Sequence, residues 1–126
     1  FAIVTNRQAR ITNSRLVRSS LGASFMMPVL EAEIKEVQEW LMKQGFKCVV
    51  TDLQAKQCYR DVDYTGRIAI VAGNEHTGIS DSWRKVKGSQ SIIIPMLGSC
   101  ESLNVGFAST LVAYEAGLRK FGYTKK

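Results

Sequence analysis

The run Ile92-Ile93-Ile94-Pro95 constrains the fold of this chain more than any other segment. Three consecutive β-branched apolar residues read as a strand covered on both faces, the pattern of a parallel sheet packed between helices. Pro95 has no N–H to give a ladder, so pairing is expected to stop there. A loop with the small residues Gly98, Ser99 and Cys100 follows, and then a helix read as Ser102 to about Lys120. Ser102 is read as its N-cap, a hydroxyl placed to accept from an early helical N–H. Asn104, in the first turn of a mainly apolar helix, costs propensity and calls for a partner. Unpaired backbone groups and two polar side chains therefore gather at the carboxyl end of a strand, where open α/β sheets bind ligands.

The rest of the chain alternates in the same way. Phe1 to Val4 reads as a strand, Asn6 to Ala9 as a polar turn, and Asn13 or Ser14 as the cap of a short basic helix through Arg15 and Arg18 that Gly22 breaks. Ser24 to Val29, with Pro28 inside it, reads as a short extended segment. The clearest helix comes next: Leu30, Ile34, Val37 and Leu41 share one face, Trp40 lies beside them, and the other side is charged. Glu31 and Glu33 suit its positive N-terminus, Glu31–Lys35 and Glu39–Lys43 are favourable pairs one turn apart, and Gly45 ends it. Phe46 to Thr51, Ile68 to Ala72 and Ile92 to Ile94 are the further strands. The alternation predicts a parallel α/β sheet with helices on both faces, in one domain covering residues 1–126.

Two other loops follow strands as the Pro95 loop does. Val49-Val50-Thr51-Asp52 ends one strand, and Ala72-Gly73-Asn74-Glu75-His76-Thr77-Gly78 ends another, with Ser80 or Asp81 available to cap the next helix. Glycine permits positive φ and a close approach of backbone to a ligand, but a tight strand-to-helix turn needs glycine for geometry alone. Neither a Gly-Lys-Ser/Thr closure nor a GxGxxG fingerprint is present, which argues against a phosphate cradle.

Composition sets outer bounds. A chain of 126 residues buries a real core without metals or disulfides. The net charge of +6 favours polyanions such as RNA, although many basic proteins bind none. Cys48, Cys58 and Cys100 are odd in number and form no CxxC pair, as expected for reduced thiols in a cytoplasmic protein. No apolar run approaches the roughly 20 residues of a membrane span, and no metal-ligand spacing occurs, so neither membrane nor metal is expected. Phe1-Ala2-Ile3-Val4 is too short for a leader and reads as a strand entered partway through a fold.

In combination the motifs carry a resemblance. Ile70-Val71-Ala72-Gly73-Asn74-Glu75-His76-Thr77-Gly78-Ile79 resembles the G-x-E-x-x-G-[IL] signature of the SpoU (TrmH) family of RNA ribose methyltransferases. Ile94-Pro95-Met96 with Ser102-Leu103-Asn104-Val105 resembles that family's closing I-P-M…S-L-N-V signature, and Arg18-Ser19-Ser20-Leu21-Gly22-Ala23 its R-x-S-x-G-A segment. The resemblance implies the SPOUT superfamily fold with a C-terminal trefoil knot, a rare exception to the rule against threading. It also implies S-adenosylmethionine as cofactor, a tRNA or rRNA ribose 2′-hydroxyl as methyl acceptor, and a homodimer. Backbone groups at Gly73, Ile94 and Leu103 are expected to contact the cofactor, with Thr51 and Met96 beside them. Ser102 and Asn104 are expected to order the cofactor loop and the reacting ribose, and Glu75 to brace neighbouring groups; a plain cap and a surface carboxylate are the bland readings of Ser102 and Glu75. His76, the one histidine, is read as solvated rather than as a base.

One part of the family pattern does not occur. An N-x-G-x-x-x-R signature, whose arginine is proposed to activate the ribose hydroxyl, would precede the strand matched by Phe1–Val4. The expectation is that the chain lacks its first strand and helix. The base role passes to none of Arg7, Arg10, Arg15 or Arg18, which read as a basic RNA-facing surface or as solvated charges. A SPOUT remnant that binds RNA or cofactor without catalysis is the alternative reading.

Overall fold

Cys48, Val49 and Val50 are three consecutive buried residues, and a strand with both faces covered is the way to hide them. They form the centre of β3 (Lys47–Thr51) in the computed structural model, which describes residues 1–5, 10–74, 77–100 and 102–122. The chain divides into two compact units, 1–40 and 41–126.

In the first unit β1 (Ala2–Val4) pairs in parallel with β2 (Val29–Glu31), Ile3 opposite Leu30. Between them lie two short helices, α1 (Ser14–Ser19) and α2 (Ala23–Met26). Asn13 caps α1, its side chain accepting from the Arg15 N–H at 2.9 Å. The expected extended segment Ser24–Val29 is therefore corrected: residues 24–26 are helical, and extension begins at Met27. Ser20 supplies the reason, its hydroxyl bonding the Ser24 hydroxyl at 3.1 Å and nucleating a second turn. The long helix also starts later than its apolar spacing suggests. α3 (Ile34–Lys43) excludes Leu30 and Glu31, which belong to β2, so Glu31–Lys35 is not a helical pair. Glu33 takes the cap position instead, and the Glu36 carboxylate reaches back to its N–H at 3.4 Å, half of a capping box. Gly45, at φ 71°, ends the helix as expected.

The second unit holds a four-stranded parallel sheet in the order β4-β6-β3-β5, with β4 (Gln57–Cys58), β5 (Ile68–Val71) and β6 (Gln90–Ile93). Its core joins Val49, Val62, Tyr64, Ile92 and Val112. The Tyr64 hydroxyl donates to the Tyr59 carbonyl at 2.6 Å, and burial pushes its pKa up to about 12. Parallel α/β organisation thus holds, but the described strands fall into two sheets rather than one. β4 had no sequence signal, since two residues of polar and cysteine character carry no period. The closing helix α5 spans Val105–Phe121, three residues shorter at its start than expected. Asn104, not Ser102, is its N-cap. That correction resolves the cost of asparagine near a helix start, because its Oδ1 accepts from the Gly106 N–H at 2.9 Å.

Candidate functional site

β3 lies between β5 and β6, and all three point the same way, so their carboxyl ends open on one edge of the sheet. The chain leaving β3 reaches β4, outside β6, and the chain leaving β5 crosses β3 to enter β6. Both connections therefore run toward the β4 edge, over the carboxyl ends of the strands. There the structure has a cleft of about 510 Å³, lined by the ends of β3, β5 and β6 and the start of α5.

Thr51, Gly73, Ile94, Met96, Ser102, Leu103 and Asn104 all line this cleft. Residues as far apart in sequence as Thr51 and Asn104 are brought together. Thr51 also ties two strands, its hydroxyl donating to the Val71 carbonyl at 3.3 Å. Ser102 is exposed on the cleft wall and is not the cap of α5. Glu75, like Arg7, His76 and Glu101, lies outside the described residues.

The loop after β5 divides the two uses of glycine. Gly78 takes φ 67°, the left-handed region. Gly73 is required for space: a Cβ there would lie 2.5 Å from the Gly78 carbonyl oxygen and 2.6 Å from the Ile79 nitrogen. The two strands of the loop are held this close by a pair of hydrogen bonds, Asn74 N–H to Gly78 O at 3.0 Å and Gly78 N–H to Asn74 O at 2.8 Å. The Gly73 backbone is thereby presented to the cleft without a side chain over it. Ser80 then caps α4 (Asp81–Arg84), accepting from the Ser82 N–H.

An ionic cluster at the cleft was missed from sequence. Arg84 donates to both oxygens of Asp52, at 2.7 and 3.1 Å, and also to Asp81. The Asp52 side chain is only 6% exposed. This fork ties the end of β3 to α4, and Gln54 adds a backbone N–H to the Asp52 carboxylate at 3.0 Å. No local pattern joins residues separated by 32 positions, although an acidic residue directly after a strand was a usable hint. The Arg84 hydrogen bond holds the Asp52 carboxyl below the ordinary carboxylate range, against the opposing effect of burial. A depressed carboxylate stabilises the fold above the unfolded pKa of about 3.9, and that stability disappears as pH falls through the lower folded value. Denaturant titrations of the chain are expected to give constant stability from neutrality to about pH 5 and a decline below about pH 4. Asp52→Asn should lower stability at neutral pH and flatten that decline; an unchanged acid limb would show that the pair contributes nothing.

Cleft chemistry favours a ligand without phosphates. Its walls combine Ile92, Ile94, Met96 and Leu103 with backbone polar groups at the strand ends, and its one cation among the described lining residues, Arg84, is engaged by two carboxylates. A sulfonium-bearing nucleoside such as S-adenosylmethionine, which has adenine and ribose but no phosphate, fits such walls. No cluster of three or more metal-ligating side chains occurs among the described residues, and no described helix is long and apolar enough to cross a membrane.

Comparison with known proteins supplies independent findings. Residues 1–114 match the family model described as the SpoU rRNA Methylase family. The 23S rRNA (uridine(2479)-2′-O)-methyltransferase of Streptomyces viridochromogenes is 33% identical over 120 residues, covering 90% of this chain and 42% of that protein. The tRNA (guanosine(18)-2′-O)-methyltransferase of Escherichia coli is 42% identical over 77 residues, covering 60% of this chain and 33% of that protein. Among solved structures, the SpoU methyltransferase AviRb from Streptomyces viridochromogenes in complex with AdoMet superposes with a TM-score of 0.84 at 32% identity, over 93% of this chain and 48% of that one. An RNA 2′-O ribose methyltransferase gives 0.85 at 30% identity, over 95% of this chain and 46% of that one. The chain spans less than half the length of these relatives.

Proposed function

Because the chain belongs to the SpoU rRNA methylase family, we propose that it serves an S-adenosylmethionine-dependent transfer of a methyl group to a ribose 2′-hydroxyl of tRNA or rRNA. The observation that carries this reading is the cleft itself, where described residues of two separate motifs, Gly73 and Ile94 to Asn104, share one wall with Thr51. When bound, the cofactor supplies a methyl carbon activated by its sulfonium. The chain's own residues bind and orient. Backbone groups at Gly73, Ile94 and Leu103 take the cofactor's hydrogen bonds, with Thr51 and Met96 completing the pocket. Asn104 has no basic atom near neutral pH, so its part is to hold the acceptor ribose by hydrogen bonding, while Ser102 orders the loop ahead of it. Glu75 braces the Gly73–Gly78 loop.

The proposal extends to architecture. Residues 1–126 belong to one SPOUT domain with helices on both sheet faces, its C-terminal segment is threaded as a trefoil knot, and the protein works in the cytoplasm as a homodimer. An exposed apolar stripe on α5, Phe107, Leu111 and Tyr114 at helical spacing, supports a partner copy.

Calorimetric titration of the protein with S-adenosylmethionine tests the reading, followed by methyl-transfer assays on tRNA and rRNA. Saturable one-site binding is expected. No binding overturns the proposal, and binding without transfer to either RNA reduces the chain to a cofactor-binding remnant.

A further inference from the structure

Charge is distributed unevenly along this chain. No acidic residue occurs before Glu31, whereas Arg7, Arg10, Arg15 and Arg18 all precede it. Within the described part of that segment, Arg15 and Arg18 are exposed and stand one turn apart on α1, and no carboxylate pairs with them. The adjoining α2 leaves Phe25 79% and Met26 88% exposed. The two helices are locked into one element by Ser20, whose hydroxyl donates to the Val17 carbonyl at 2.8 Å and bonds Ser24. At the turn between them Leu21 sits at φ 50°, a region that penalises L residues by about 1 kcal/mol, and its side chain is 94% exposed. Burial does not repay that strain, and an exposed aromatic on α2 following two exposed arginines on α1, neither paired with a carboxylate, is a poor solvent-facing surface.

We propose that the α1–α2 element is a docking surface for single-stranded RNA, with Arg15 and Arg18 on successive phosphates and an unstacked base lying on Phe25. The inference rests on the reading that the substrate is RNA and adds which form of RNA is gripped, and where. Duplex RNA hides its base faces, whereas a loop or single strand offers them to aromatic side chains. Cations alone would suit any polyanion; the exposed aromatic ring on the adjoining α2 is what selects unpaired bases.

Fluorescence anisotropy of the 126-residue chain with a mixed-sequence single-stranded RNA, and with the same strand annealed to its complement, tests this. The single strand is expected to bind more tightly. Phe25→Ala should weaken it about tenfold, with Phe25→Tyr near wild type. Arg15→Gln with Arg18→Gln should reduce the slope of log affinity against log salt by about 1.4, and Arg18→Lys should restore its share. S-adenosylmethionine titration of each variant should match wild type. Unchanged RNA affinity in the variants, preferred binding of the duplex, or no RNA binding at all overturns the inference while intact cofactor binding leaves the cofactor part of the proposed function standing. If Phe25→Ala alters the oligomeric state and not RNA affinity, the patch belongs to a second copy and the inference fails.

Discussion

Gly73→Ala is expected to lower S-adenosylmethionine affinity at least about 100-fold and to destabilise the chain. The added methyl meets backbone, not a flexible side chain, and the opposing backbone is held by both hydrogen bonds of the Asn74–Gly78 bridge. Relief requires parting that bridge or displacing β5, and overpacking of this kind costs about 1–3 kcal/mol in stability. A cleft wall displaced by a fraction of an ångström loses several backbone hydrogen bonds to the ligand at once; each 1.4 kcal/mol lost is tenfold in affinity. Gly117→Ala is the control, because a Cβ there meets nothing within 4 Å and the residue lies inside α5. It should stabilise by up to about 1 kcal/mol. Thermal denaturation and cofactor titration of the two variants read both effects, and near wild-type affinity in Gly73→Ala would remove the loop from the binding site.

Asn104 carries the second large effect, and its two roles can be separated. Asn104→Ala leaves the Gly106 N–H without its cap, a loss of about 1 kcal/mol in helix stability. Asn104→Asp and Asn104→Ser retain a side-chain oxygen at the cap and should hold stability within a few tenths of a kcal/mol. All three substitutions remove the amide donors, so all three are expected to slow methyl transfer by about 100-fold or more through misplacement of the acceptor ribose. Single-turnover rates compared with unfolding free energies decide between the roles. Turnover that tracks stability, recovering fully in Asn104→Ser, would reduce Asn104 to a cap.

What was legible in the sequence followed from short-range chemistry. Ile92–Pro95 announced a strand and, to within one residue, its end at Ile93; Gly45 marked a helix terminus, and of the two cap candidates Asn13 and Ser14 the structure uses Asn13, since each effect acts within a turn or a ladder position. The misplaced boundaries share one cause. Leu30 and Ser102 both fit a helical pattern locally, but a strand partner claimed Leu30 and a better cap two residues on displaced Ser102. Periodicity cannot register a competitor that lies elsewhere in the chain or a stronger cap nearby.

The candidate site divides along the same line. The family resemblance pointed to Gly73, Ile94, Leu103 and Asn104, which line one cleft, and the tight turn after β5 accounted for a glycine there. The sequence left open whether Gly73 served φ or space, and it was silent on Asp52 and Arg84. The first answer lies in the Asn74–Gly78 bridge that folds the loop back over Gly73, and the second in α4 lying against the end of β3. Sequence by itself determined which residue types reach the strand ends, because alternation, proline and capping are local. Only the tertiary structure decided which strand ends adjoin and which charges pair across the cleft, because those contacts join residues tens of positions apart.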